Sequence, residues 1–209
     1  MLHCIKLQCI FLTNLLMRAF IQNMQLSDID ILNSLDTKDV MIENFEIDRL
    51  QPASYDVLLG NDFLVFDNHK IACIDPKNAI DDAMRKVMIP DDEYFIIHPG
   101  EFVLGATWEK IGVSAKYACQ IMGKSSLARL GLIIHTTAGF IDPGNNLRIT
   151  LEFVNTNTVP IKLYPKMKIA QVAFYELKTP TSKPYGSTGL NSKYLNAEGV
   201  QASQMYKNY

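Results

Sequence analysis

Residues 123–129, GKSSLAR, combine a glycine, two hydroxyls and two cations, which are groups suited to binding phosphate. An NTPase phosphate-binding loop needs another glycine five residues before its Gly-Lys pair, but Ala118 stands there and the neighbouring segments are β-rich. The NTPase loop is therefore excluded. Two interpretations remain: a helix start whose amides and cations hold an anion, or a short helix capped by Ser125 and Ser126 with two solvated cations.

A second candidate is the single glutamate of the segment RITLEFV, residues 148–154. Alternation along a strand places Ile149, Leu151 and Phe153 on one face and Arg148, Thr150 and Glu152 on the other. One interpretation is a solvent-facing strand with an Arg–Glu neighbour pair. The other is a carboxylate that points into a polar pocket between sheets or subunits, where burial tunes it for proton transfer.

The histidines and cysteines do not form a zinc motif. None of His3, His69, His98 and His135 pairs with a second ligand at zinc spacing, and the zinc deaminase signature is absent. We therefore expect neither structural nor catalytic zinc. The pattern LIIHTTA favours His135 as a hydrogen-bonded strand histidine rather than a catalyst.

The elements that must position these residues are short strands. From residue 50 onward, apolar β-rich runs alternate with turn signals, which is typical of a β-sandwich or barrel rather than βαβ units. One short helix is predicted over residues 26–36, with Ser27 as its N-cap. Residues 178–209 lose hydrophobic density, which predicts a tail able to order over a ligand.

Size and charge narrow the class of protein. A chain of 209 residues suits a single domain, and a net charge of −2 gives no basic field for nucleic acid. The four cysteines form no CxxC motif, so we expect reduced thiols. Residues 1–23 are apolar but interrupted by polar residues, and they fit a membrane span or secretory signal poorly. We interpret them as an extension before a domain that begins at Met24.

Several segments in a fixed order together resemble the dCTP deaminase family, which belongs with the trimeric dUTPases. They are LQPASYDVLLG, HPGEFVLG, GKSSLARLGLIIHTTAGFIDPG, ITLEF, LYPKMKIAQVAF and KPYGS followed by SKY. The resemblance implies a mainly β, distorted barrel or β-clip with a few short helices, assembled as a homotrimer with active sites between subunits. It divides the chain into an extension (1–23), a deaminase domain (24–177) and a tail that closes over the nucleotide (178–209).

By position, the resemblance also implies the site residues. The triphosphate and base would be held by Lys124, Ser125, Ser126, Leu127, Ala128 and Arg129, the sugar by Asp142, and the cytosine by Thr150, Leu151 and Glu152. Gln171, Tyr185 and Lys193 match further nucleotide contacts. Magnesium would accompany the triphosphate of dCTP, dUTP or dTTP. The implied location is cytoplasmic, with neither nucleic acid nor membrane as partner.

The mechanism implied by the resemblance needs no metal for deamination. Glu152 would take a proton from water and pass it to the ring nitrogen and then to departing ammonia. Ser125 and the carbonyl of Ala138 would position the water. Arg129 would orient Glu152 and stabilise the developing charge. The tail departs from the family pattern at one contact to the phosphates, because Ala197 stands where the family usually has a glutamine. The turn after Gly144 also differs.

Three functions are compatible with this resemblance. The first is a dCTP deaminase that forms dUTP and ammonia for pyrimidine deoxynucleotide synthesis. The second is a bifunctional enzyme that also cleaves its product to dUMP and diphosphate, which GKSS, Gly139–Phe140 and Gln171 resemble at least as well. The third is a trimeric sensor that binds dCTP or dUTP without turnover.

Overall fold

The computed structural model describes residues 24–209, so the predicted extension over residues 1–23 lies outside the described part. The prediction of a mainly β fold with a few short helices is confirmed. Helices α1 and α2 span Asp28–Asp36 and Ser125–Ala128, and 3-10 turns span Ile47–Arg49, Asp81–Ala83 and Met205–Asn208. Strands β1 to β13 span, in order, Met24–Gln25, Val40–Ile42, Leu50–Gln51, Ser54–Phe66, Met84–Met88, Phe95–Ile97, Phe102–Val113, Tyr117–Gly123, Leu132–Ile133, Phe140–Ile141, Asn146–Asn155, Ile161–Leu163 and Lys168–Glu176.

Helix α1 forms where the sequence predicts it. The Ser27 hydroxyl accepts from the Asp30 amide, and the Asp30 carboxylate accepts from the Ser27 amide, which completes a capping box. Ile31 is fully buried and anchors the helix to the core. The helix ends at Asp36, and its C-cap residue Thr37 donates its amide to the Asn33 carbonyl at 3.3 Å.

Most strands belong to one antiparallel sheet with the order β10-β8-β13-β4-β7-β11-β9. Strands β1, β2, β3 and β5 pair along its length, while β12 and β6 form a separate pair. The longest neighbours, β4, β7 and β11, lie side by side, and register shifts interrupt their pairing. Such bulges bend a strand and increase its twist, which lets this sheet curl around a core.

The core is aromatic and aliphatic, with one buried ion pair. Phe63 stacks on Phe95 with ring centroids 4.5 Å apart. Arg49 donates to the carboxylate of Glu109, and both side chains are almost fully buried. The second oxygen of Glu109 accepts from the Leu58 amide at 3.0 Å, so this charge is paired as burial requires. Among residues 24–209, no helix has the length and apolar character needed to cross a bilayer.

Candidate active site

Strand β11 provides the carboxylate wall of the site. Ile149, Leu151 and Phe153 are buried, whereas Thr150 and Glu152 are half-buried, as the alternation predicts. Thr150 and Glu152 line a cavity of about 610 Å³, which we call the carboxylate cavity. Leu151 is fully buried on the opposite face, so its side chain packs into the core rather than against a ligand.

Glu152 is held by the turn that follows β9. Its Oε2 accepts from the Thr136 amide at 3.1 Å and from the Thr136 hydroxyl at 2.9 Å. The Glu152 amide in turn donates to the Ile134 carbonyl at 3.2 Å. The expected Arg–Glu pair along the strand does not form, because Arg148 lies 2.7 Å from the carboxylate of Glu43 instead.

His135 differs from the sequence-based expectation. It follows β9, and neither ring nitrogen has a hydrogen-bond partner among residues 24–209, so the prediction of a hydrogen-bonded strand histidine is wrong. The ring lines the carboxylate cavity, with Nδ1 3.6 Å from Oε2 of Glu152. The local pattern missed this arrangement because it depends on β11, which follows later in the chain.

The segment between β9 and β11, which includes the short strand β10, shapes a second wall of the cavity. Ala138 and Asp142, for which the resemblance implies contacts to the water and the sugar, both line the carboxylate cavity. The Gly139 carbonyl accepts from the Ile121 amide at 2.8 Å and ties the turn to β8. Gly144 has φ of +87°, and a Cβ there would lie 2.5 Å from Pro184, so glycine permits the close approach of the tail.

The tail, residues 178–209, closes the cavity from the same chain. Tyr185 lines the carboxylate cavity, and its amide donates to the Pro143 carbonyl at 2.8 Å. The Gln201 amide donates to the Thr150 hydroxyl at 3.2 Å, which places the tail directly over β11. Lys193 lies in an adjoining smaller pocket together with Asp142 and Tyr185.

The cationic segment, residues 123–129, lies elsewhere on the surface. None of its residues lines the carboxylate cavity. Helix α2 includes Ser125 and Ser126, while Lys124 is its N-cap and makes no side-chain cap bond, so the serines are not the predicted caps. Leu127 packs against the core, whereas Ala128 is exposed.

The charged residues of the cationic segment have other contacts than Glu152. Arg129 is exposed and makes no side-chain contact with Glu152 within residues 24–209, so the predicted Arg129–Glu152 contact does not form within one chain. Lys124 pairs with buried Asp56 at 2.6 Å. Gln171 lies opposite Asp56 in the β13–β4 register, and its Oε1 is 3.4 Å from the Ser54 hydroxyl.

Metal-ligand clusters and cysteine thiols are the other groups that could carry chemistry in residues 24–209. Residues 24–209 contain no group of three His, Cys, Asp or Glu arranged to hold a metal. Burial raises the pKa of the Cys119 thiol, so this cysteine stays protonated and is a poor nucleophile. Cys73 is exposed and free.

Sequence reasoning missed several residues of the carboxylate cavity. Asn145, Tyr194 and Gln201 all line it, as does the apolar side chain of Phe140. Gln201 lies four residues beyond Ala197, where the usual tail glutamine is missing, and it brings an amide to the same cavity. The polar side chain of Gln201 was the only feature in the sequence that could have indicated a place in the cavity, because its position depends on the path of the tail.

Comparisons with known proteins identify the family of this chain. The family model described as dCTP deaminase-like matches residues 25–177. A protein of Nocardioides sp. named "dCTP deaminase, dUMP-forming" is 48% identical over 186 residues, which cover 89% of this chain and 97% of that protein. A protein of Corynebacterium jeikeium with the same name is also 48% identical, with 89% and 99% covered.

A solved structure shows the same fold at low sequence identity. The 2'-deoxycytidine 5'-triphosphate deaminase from Agrobacterium tumefaciens superposes with a TM-score of 0.59 and is 20% identical. The match covers 75% of this chain and 49% of that chain, so the present chain spans about half the length of that protein. At this identity, the likeness extends to the fold alone.

Proposed function

Because this chain belongs to the dCTP deaminase-like family, we propose that it deaminates dCTP and converts the product to dUMP. The observation that carries the deamination is Glu152, a half-buried carboxylate fixed on the wall of a cavity large enough for a nucleoside. The relatives' names favour dUMP over dUTP as the final product. We propose a cytoplasmic location, with dCTP and dUTP as ligands.

The proposed chemistry moves protons through one carboxylate. Glu152 takes a proton from water as the water oxygen bonds to the amine-bearing ring carbon. It delivers this proton to the ring nitrogen, then takes the second proton from the new hydroxyl group on the ring carbon and passes it to the departing amine. The C–N bond breaks to release ammonia, and the hydroxyl oxygen becomes the carbonyl oxygen of the product. Ala138 lines the same cavity, and we propose that its carbonyl accepts a hydrogen bond from the attacking water.

We propose that the site is completed in a homotrimer. Glu152 and the cationic segment do not meet within one chain, although the reaction needs both a base and cations for the triphosphate. In the trimer, Arg129 of the partner subunit would face Glu152, and Lys124 and Ser125 of the partner subunit would approach the phosphates and the water. Exposed apolar side chains beside both regions support burial between copies, namely Leu130, Ile133 and Phe140.

Magnesium is proposed to accompany the triphosphate. Since the described residues contain no cluster of three metal ligands, the phosphate oxygens would supply most of the coordination. Lys124 and Gln171 are half-buried next to Asp56 and would bind the remaining phosphate charge and the polar edges of the nucleotide. Magnesium neutralises phosphate charge when bound, and the deamination steps run through Glu152.

The product assay tests the proposed function. The purified protein is incubated with dCTP and magnesium, and nucleotides and ammonia are quantified together. We expect ammonia and dUMP in equal amounts. Accumulation of dUTP would contradict the second activity, whereas tight dCTP binding without ammonia release would identify a nucleotide-binding sensor and overturn deamination.

A further inference from the structure

The two oxygens of the Glu152 carboxylate have different surroundings. Oε2 accepts two hydrogen bonds from Thr136, one from the amide and one from the hydroxyl. The nearest ring nitrogen of His135 is also on the Oε2 side, at 3.6 Å. Within residues 24–209, Oε1 accepts no hydrogen bond. The carboxylate is therefore anchored through one oxygen only.

This anchoring restricts a torsion that is otherwise soft. The terminal torsion of a glutamate has a broad, roughly twofold profile, so a carboxylate without partners samples many orientations. Hydrogen bonds to an ionised oxygen are the stronger kind, and two donors from one residue define its direction. The turn that carries Thr136 is itself fixed, since Ile134 and Gly139 hydrogen-bond to β11 and β8.

We propose that Thr136 is a positioning residue that assigns separate tasks to the two oxygens of Glu152. Thr136 holds Oε2, and Oε1 is the oxygen that takes the water proton and delivers it to the ring nitrogen. The inference rests on the proposed function, because it requires Glu152 to be the base. The proton balance is closed: one water adds, one ammonia leaves, and Glu152 ends in its starting state.

Three substitutions at one position test this assignment. Thr136→Val removes the hydroxyl at nearly constant volume, Thr136→Ala removes it with less bulk, and Thr136→Ser retains it. We expect kcat to fall by about tenfold in the Val and Ala variants, with KM changed by less than about twofold. The Ser variant should restore most of kcat.

The control is Thr158→Val, which removes a hydroxyl from the exposed turn after the same strand and should leave kcat unchanged. An unchanged kcat in both Thr136→Val and Thr136→Ala, with active wild type, would overturn the positioning role alone. A raised KM at constant kcat would also overturn it, because it would indicate direct substrate binding. A wild type that releases no ammonia would instead contradict the proposed function.

Combining Thr136→Val with Glu152→Gln distinguishes an effect of Thr136 through Glu152 from a purely structural effect. If Thr136 acts through Glu152, the double variant loses no more activity than Glu152→Gln alone. A further loss, equal to that of Thr136→Val in the wild-type background, would show that Thr136 acts independently of the carboxylate.

Discussion

The carboxylate cavity is lined by strand β11, the preceding turn and the tail of the chain that supplies Glu152, whereas the cationic segment lies on the open surface of that same chain. Around Glu152, the turn after β9 and the tail add hydrogen bonds from Thr136 and from Gln201. Around residues 123–129, Ser125, Ser126 and Arg129 are all exposed. The carboxylate proposed as the base is thus positioned within a single chain, whereas the groups proposed for the phosphates would meet it only in the proposed trimer.

The difference bears on how the proposed reaction is controlled. A preorganised carboxylate needs no rearrangement to act as a base. If the cations belong to a neighbouring subunit, only the assembled enzyme would hold the triphosphate with the cytosine ring next to that carboxylate. Lys124 is further restrained by buried Asp56, which fixes its amine close to the sheet.

Glu152→Gln should have the largest effect. The amide keeps the size of the side chain and an oxygen that accepts from Thr136, but it cannot take a proton. We expect ammonia release to fall by about 10²–10⁴-fold while dCTP binding, measured by calorimetry, stays within a few-fold. Glu176→Gln, at the exposed end of β13, is the matched control. Unchanged turnover in Glu152→Gln would reject Glu152 as the base.

Mixing two inactive variants tests whether the two regions act across subunits. Glu152→Gln and Arg129→Ala protomers are unfolded together, refolded and assayed. In a cyclic trimer with shared sites, each mixed trimer contains one intact site, so random mixing should restore about a quarter of wild-type activity. No recovery from a mixture shown to contain mixed trimers would place both residues in one chain's site. A monomer by native mass measurement would reject the trimer.

Val200→Ala should loosen the tail without affecting the cationic segment. Val200 is 8% exposed and packs with Met84 and Leu104, and its amide donates to Asp62 at 3.2 Å. We expect the loss of this burial to destabilise the closed position of the tail by about 1 kcal/mol, which should raise the KM for dCTP about fivefold. Val159→Ala, at an exposed turn, should leave KM unchanged. Equal KM values in both variants would show that tail closure does not limit binding.

Glu198→Gln should have the smallest effect. The hydrogen bond from Lys110 holds the pKa of Glu198 below the ordinary range of a glutamate. A lowered pKa means that the contact contributes above the unfolded value of about 4.3 and is lost as pH falls through the lowered one. We therefore expect less than about a twofold change in KM at neutral pH, because the pair is exposed. Unfolding curves of the two proteins should differ at pH 7 and converge in acid; a difference that persists in acid would contradict this pairing.

Local patterns in the sequence predicted the elements well where neighbouring residues decide the outcome. The capping box at Ser27 and the alternation around Glu152 both depend on residues within a few positions, and both appear as expected. The caps predicted at Ser125 and Ser126 are wrong, because the helix begins at Ser125 and its N-cap is therefore Lys124. The resemblance implied Leu151 as a residue of the cytosine pocket, and that contact stays a prediction; the alternation placed its side chain on the opposite face from Glu152, where it is fully buried.

What the sequence determined by itself is the β-rich architecture, the short capped helix and the face of β11 that carries Glu152, since these follow from side-chain periodicity and local hydrogen bonds. What only the tertiary structure decided is which groups meet that carboxylate. Thr136 lies 16 residues from Glu152 along the chain, and Gln201 lies 51 residues from its partner Thr150. Contacts over such separations depend on the curl of the sheet and the return of the tail, and no local pattern encodes either of them.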